Sequence, residues 1–128
     1  QWQARRSEIA QRLHEGLSAV GVQVRPSPHY SETNNHKFSM FVQDKKVFRD
    51  LMIQRGVETQ LHYTYNFAKT AVLSDDTEQH MPMTEFYARH AISIPSNPWL
   101  TDTEVSTVVE AVKSCVTDAD LDTRIPPM

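Results

Sequence analysis

His62 and Tyr63 stand side by side at the end of an alternating segment, Gly56-Val57-Glu58-Thr59-Gln60-Leu61-His62-Tyr63. An imidazole and a phenol can each donate and accept hydrogen bonds, so the pair suits recognition of a polar ligand. In an extended segment successive side chains alternate. Val57, Thr59 and Leu61 therefore point one way, and Glu58, Gln60 and His62 the other. If the first set packs on helices, the second faces a cleft, a partner or solvent. His62 with Glu58 or Asp44 has the makings of an acid–base pair. The plainer reading is a surface-facing residue with ordinary hydrogen bonds.

Other reactive residue types are present without a reactive pattern. The six histidines are His14, His29, His36, His62, His80 and His90. None is paired at the i, i+4 spacing of a helical zinc motif and no cysteine pair accompanies them, so no metal site is expected. His29 and His36 read as loop residues, and His80 and His90 as exposed residues flanking a short helix. Cys115 falls in an apolar helical pattern and is expected to be buried. It has no evident base nearby, and Ser93 sits in a buried strand. Lys37, Lys45, Lys46, Lys69 and Lys113 read as solvated surface charges. The chain has three glycines and neither a G-x-G-x-x-G nor a G-x-x-x-x-G-K pattern, which argues against a phosphate-cradling loop. Trp99 follows Asn97-Pro98 and is expected to pack as a staple over the last helix; the rarer alternative is a stacking platform for a sugar or base. Trp2, at one end of the chain, is the better interface candidate.

With 13 basic against 16 acidic residues and a net charge of −3, the chain has no general attraction for nucleic acid or anionic membrane. No run approaches the roughly 18 apolar residues of a membrane span, and no signal peptide is visible. The single cysteine excludes an internal disulfide and suits a reducing, cytoplasmic setting. A length of 128 residues fits one domain. That domain is expected over 1–116, with a polar tail over 117–128. Because the first residue is Gln1, the chain reads as processed or as a piece of something longer.

The positioning elements follow from periodicity. Ile9, Leu13, Leu17 and Val20 recur on one face of a helix over 2–20, with Arg5, Arg6, Gln11, Arg12 and Glu15 on much of the rest. Gly16 weakens its interior slightly and Gly21 ends it. Val22 to Arg25 alternates as a short strand closed by Pro26-Ser27-Pro28. Phe38, Met40 and Val42 alternate with Ser39, Phe41 and Gln43 in a second strand, and Phe41 suggests that both faces are covered. Asp44 is suited to cap a helix with the stripe Val47, Phe48, Leu51 and Met52, ended by Gly56. Residues 65–79 are irregular, with a helical turn over 67–73. Pro82 opens a short helix to about His90, and Ala91 to Ile94 is a buried strand closed by Pro95. Thr101-x-x-Glu104 is a capping box for a helix carrying Val105, Val108, Val109, Val112, Cys115 and Val116. The sum is an α+β domain with a small, mostly antiparallel sheet and helices packed mainly on one face.

Gly-Val-x-Thr-x-x-His-Tyr, then Ser93-Ile94-Pro95 and Leu100-Thr101-x-x-Glu104-Val105, in this order and spacing, resemble the C-terminal part of the DegT/DnrJ/EryC1/StrS aminotransferases. The resemblance spans roughly Arg5 to Val116. It implies the small domain of a fold-type-I, pyridoxal-phosphate enzyme that aminates nucleotide-linked keto-sugars, packed against a large domain and active near a dimer interface. By the same resemblance the helix over 2–20 is the tail of a longer interdomain helix, and His62 and Tyr63 border the sugar-nucleotide substrate, with Glu58 and Gln60 as weaker candidates. No lysine stands in the family's cofactor-lysine context, and the large domain that carries it is not among these residues. The chain alone is therefore expected to bind no pyridoxal phosphate and to have no catalytic residues. Its expected partners are the large domain or a second copy of itself. The chain departs from the family where Thr64-Tyr65-Asn66 replaces the proline that many members carry after His-Tyr. The alternative is a free-standing, non-catalytic binding or oligomerisation module derived from the same domain.

Overall fold

The computed structural model describes residues 1–22, 24, 33–65 and 81–118. Four helices and two strands follow in the order α1 (Trp2–Ser18), β1 (Phe38–Phe41), α2 (Lys45–Gln54), α3 (Pro82–His90), β2 (Ala91–Ile94) and α4 (Asp102–Asp118). The expected strand over 22–25 lies partly outside the described residues, as do the helical turn over 67–73, His29, Lys69, His80 and the chain beyond Asp118.

β1 and β2 pair antiparallel, with Phe38 opposite Ile94, Ser39 opposite Ser93, Met40 opposite Ile92 and Phe41 opposite Ala91. Single antiparallel bridges widen this ribbon on both sides, Val24 to Met40 and Gln60 to Ser93. The segment read as a strand at 57–63 is thus one bridged position in an extended run. Its alternation still holds: Val57 and Thr59 are buried, while Glu58 and Gln60 are exposed.

One face of the sheet carries the core. Phe38, Met40, Ile92 and Ile94 pack with Ile9, Leu13 and Leu17 of α1, Phe48 and Met52 of α2, and Val105, Val112 and Cys115 of α4. Burial of these side chains, each contributing on the order of 2 kcal/mol, drives the layer together. The second face is only part covered. Phe41 and Ala91 lie under Phe86 and Tyr87 of α3, with the Phe41 ring 5.1 Å from that of Tyr87. The apolar outward residue Phe41 therefore has the cover its sequence required.

Local signals set the helix ends. Asp44 Oδ1 accepts the backbone N–H groups of Lys46 (2.9 Å) and Val47 (3.0 Å). In the capping box, Glu104 Oε2 accepts from the Thr101 amide at 2.7 Å and Thr101 Oγ1 accepts from the Glu104 amide at 3.2 Å. Gly21 and Gly56 follow α1 and α2 with φ of 75° and 73°, the left-handed conformation that glycine enters without strain.

Several expectations are corrected by tertiary context. α1 stops at Ser18, so Val20 lies past its end and is exposed. Val47 is exposed because α2 buries the Phe48–Met52 edge instead. α4 runs two residues into the segment expected to be a polar tail. Arg5 and Arg12 do not simply face solvent. Both contact Asp102 Oδ1, at 2.7 and 2.6 Å, and Arg5 also donates to the Leu100 carbonyl, pinning α1 to the start of α4. Gly16 is a contact point: a Cβ there would meet Val109 Cγ1 at 2.8 Å, so its small size lets α1 and α4 approach. Lys45 is half-buried and donates to the Ala88 carbonyl in the last turn of α3, where a cation complements the helix dipole. His90 is buried, its Nδ1 3.0 Å from the Val42 carbonyl. Trp99 is not a staple over α4. It is 68% exposed and meets Trp2, itself 62% exposed, edge to face at 5.5 Å.

Candidate functional site

The part of the second sheet face that α3 leaves uncovered is polar, and the strand register dictates its layout. Ser39 and Ser93 are directly opposite in β1 and β2, and Gln60 is bridged to Ser93 through two backbone hydrogen bonds of 2.8 and 2.9 Å. Residues opposite one another in a ladder share a face. Ser39, Ser93 and Gln60 therefore form one row. Alternation adds Lys37 beside Ser39, and Glu58 and His62 on either side of Gln60. The row is knit by hydroxyls: Ser93 Oγ lies 3.3 Å from Ser39 Oγ and 3.2 Å from His62 Nδ1.

His62 is half-buried over this row, and Tyr63 projects from the edge, with its ring 5.5 Å from the imidazole. The peptide between them is cis. Burial, and then the positive charges of Lys37 and His36, hold the His62 pKa below its usual 6.5. At neutral pH the ring is an uncharged hydrogen-bonding group. Among the described residues its side-chain partner is Ser93, not Glu58 or Asp44, and Asp44 is occupied capping α2. Next to this row a cleft of about 310 Å³ opens between the loop before β1 and the turn after β2, bounded by Lys37, Glu58, Gln60, Ser93 and Pro95.

Sequence reasoning singled out His62, Tyr63, Glu58 and Gln60. The structure gathers Glu58 and Gln60 at the cleft; His62 and Tyr63 do not line it, His62 being tied to Ser93 in its wall and Tyr63 standing exposed beside Lys37. It also adds His36 and Lys37, expected from sequence to be a loop residue and a solvated charge. The available signal was β-alternation: Lys37 lies one residue before Phe38 and two before Ser39, on the outward side. Among the described residues no three His, Cys, Asp or Glu side chains gather as a metal site. No described helix is long and apolar enough to cross a membrane.

A small antiparallel sheet with three helices on one face and a polar patch on the other is a fold found within sugar aminotransferases. The structure superimposes on Streptomyces venezuelae DesV, solved with a ketimine intermediate, at a TM-score of 0.82 and 23% identity, covering 91% of this chain and 32% of that one. It superimposes on the aminotransferase TlmJ of Streptoalloteichus hindustanus at 0.80 and 24% identity, covering 92% and 32%. The sequence is 24% identical over 115 residues to the dTDP-3-amino-3,4,6-trideoxy-alpha-D-glucose transaminase of Streptomyces venezuelae, covering 88% of this chain and 30% of that protein. Residues 1–113 match the DegT/DnrJ/EryC1/StrS aminotransferase family, and the chain belongs to it. The chain spans about a third of the length of these relatives.

The family's cofactor is pyridoxal phosphate, which is held through a lysine amine and an acidic partner for the pyridinium nitrogen. The described lysines do not fit that role. Lys45 is committed to the Ala88 carbonyl, Lys46 pairs with Asp50 at 2.9 Å and Lys113 pairs with Glu110 at 2.9 Å. Lys37 lies exposed with its Nζ 5.7 Å from the centre of the Tyr63 ring. These residues offer no enclosed amine for the cofactor.

Proposed function

We propose that the chain is the small, C-terminal domain of a cytoplasmic pyridoxal-phosphate aminotransferase that moves an amino group from glutamate or glutamine to a nucleotide-linked keto-sugar. In this reading the cofactor and its lysine belong to a preceding large domain. The domain described here supplies a substrate-side wall made by His62 and Tyr63, with Glu58 and Gln60 beside them. The supporting observation is the uncovered polar half of the second sheet face, where a neutral His62 is oriented by Ser93 next to a cleft. A neutral imidazole and a phenol suit hydroxyl and keto oxygens because each can donate or accept.

Two measurements test this. The purified chain, supplied with pyridoxal phosphate, glutamate and a nucleotide-linked keto-sugar, is expected to form no amino-sugar. Turnover would falsify the division of labour. The coding frame upstream of Gln1 is expected to continue into a lysine-bearing domain. A frame opening just before Gln1 sinks the enzyme reading.

One observation favours a second reading, a free-standing module that assembles without catalysis. The Trp2–Trp99 pair presents two large rings to solvent at the start of α1, and exposed aromatics of this kind mark association surfaces. In that reading the chain is a dimer by light scattering, and Trp2→Ala with Trp99→Ala makes it monomeric.

A further inference from the structure

The hydroxyl of Ser93 touches two groups at once, and the order in which the three donate decides what His62 offers to its surroundings. Ser93 is 6% exposed, and its Oγ lies 3.2 Å from His62 Nδ1 and 3.3 Å from Ser39 Oγ. A buried hydroxyl has one proton to place, and leaving it without an acceptor is costly. Among the described residues these two atoms are the ones within its reach. Two orders place the proton. In the first, Ser39 donates to Ser93 and Ser93 donates to Nδ1, so the imidazole proton sits on Nε2. In the second, Nδ1 donates to Ser93 and Ser93 donates to Ser39, so Nε2 is bare.

Acceptor strength selects the first order. A neutral imidazole nitrogen takes up a proton at a pKa near 6.5, which makes it a far stronger acceptor than a hydroxyl oxygen. The Ser93 proton therefore goes to Nδ1, and half-buried Ser39 fills a free lone pair of Ser93. The ring has little freedom to escape this contact. His62 is itself half-buried, and the Tyr63 ring stands edge-on to it at 5.5 Å with the planes at 83°. Burial, and then Lys37 and His36, disfavour the imidazolium, so the tautomer is the property left to set. Nε2 has no partner among the described residues and is not an enclosed atom, so it reaches the surface of this face.

We propose that Ser93, backed by Ser39, is a positioning residue that holds His62 in the Nε2–H tautomer and so makes it a hydrogen-bond donor, and not an acceptor, on the outer sheet face. The device follows from the ladder, since the register of β1 with β2 sets the two serines opposite one another. A fixed donor of this kind meets an oxygen that offers a lone pair, such as a carbonyl or carboxylate oxygen. It turns away a group that must itself donate. The inference deepens the proposed function: what the donor is used for rests on the reading of this face as the substrate side, whereas the tautomer stands on the Ser39–Ser93–His62 geometry alone.

The test is nitrogen NMR of the imidazole rings in the 128-residue chain at about pH 7.5, a unit above the ordinary imidazole value. The His62 resonances are assigned by their loss in His62→Gln. In the parent chain Nε2 is expected to carry the proton and Nδ1 to be a bare, hydrogen-bonded nitrogen. Ser93→Ala should reduce the ratio of the two tautomers about fivefold, the scale of one neutral hydrogen bond, and Ser93→Thr, which keeps a hydroxyl, should restore it. Ser39→Ala should leave the proton on Nε2, because Ser39 is a donor in this order and no acceptor is lost. A proton on Nδ1 in the parent chain overturns the proposal. So does a Ser39→Ala variant in which the proton moves from Nδ1 to Nε2, since that is the signature of the second order. An unchanged ratio in folded Ser93→Ala overturns the role of Ser93. Should that variant not fold, the parent spectrum and Ser39→Ala still decide between the two orders. Each of these results leaves the aminotransferase reading as it was, and a coding frame that opens just before Gln1 would remove that reading without moving the proton.

Discussion

The two faces of the sheet are built from the same few residues and follow opposite rules. On the inner face Phe38, Met40, Ile92 and Ile94 are each buried against helices whose own stripes match them. On the outer face Ser39 and Ser93 alternate with these residues one step along the chain. They are surrounded by Lys37, Gln60, Glu58 and His62, of which only His62 has its side chain anchored on Ser93. Burial specifies the first face, since hydrophobic contact rewards any chain that brings those residues together. Nothing in folding requires, beside Pro95 on the second, two charges that form no ion pair among the described residues. A stability-neutral arrangement of polar groups around a cleft is what a binding surface looks like.

The largest effect that would break this contrast is expected on the inner face. Phe48→Ala removes a fully buried ring and should cost about 3–5 kcal/mol in urea unfolding. A loss below about 1 kcal/mol would mean that the core is not where the inner face places it. Gly16→Ala is the next test. Alanine is the better helix former by about 1 kcal/mol, yet its methyl would press on Val109, so a net loss of about 1–2 kcal/mol is expected. Adding Val109→Ala should relieve the clash, so the two changes combined should cost less than the sum of their separate effects.

Outer-face substitutions should barely register by comparison. Lys37→Ala and Glu58→Gln are each expected within about 0.5 kcal/mol of the parent in the same unfolding experiment. A loss comparable to that of a core residue would show that these charges hold the fold and are not reserved for a ligand.

The smallest effect concerns His62. Its folded pKa lies below the unfolded 6.5, so the unfolded chain takes up the proton first as pH falls. The contribution is fully present above pH 6.5 and is lost as pH drops from 6.5 through the folded value. Imidazole NMR should show His62 titrating below 6.5. Lys37→Ala should raise its pKa only part of the way back, because burial is the larger cause. A full return to 6.5 would make Lys37 the dominant influence.

Much of this protein was determined by its sequence alone. Asp44 and the Thr101–Glu104 box announced two helix starts, because capping is a contact between near neighbours in the chain. The alternation at Phe38–Phe41 and Val57–Leu61 settled which side chains go inward, and Phe41 announced a second covered face. The ordered motifs from Gly56 to Val105 pointed to the family that the comparison then showed. What only the tertiary structure decided depends on residues far apart in sequence. Gly16 reads as a weak spot until Val109 lies against it, and Arg5 and Arg12 read as solvated until Asp102 is brought to them. Lys45 acquires a helix C-terminus, His90 a carbonyl, and Trp99 an exposed partner in place of the helix it was expected to cover. Lys37 and Glu58 meet at one cleft only because β2 runs between them. Pattern reports what each segment wants from its surroundings; which distant group answers is settled by the register and the packing that join them.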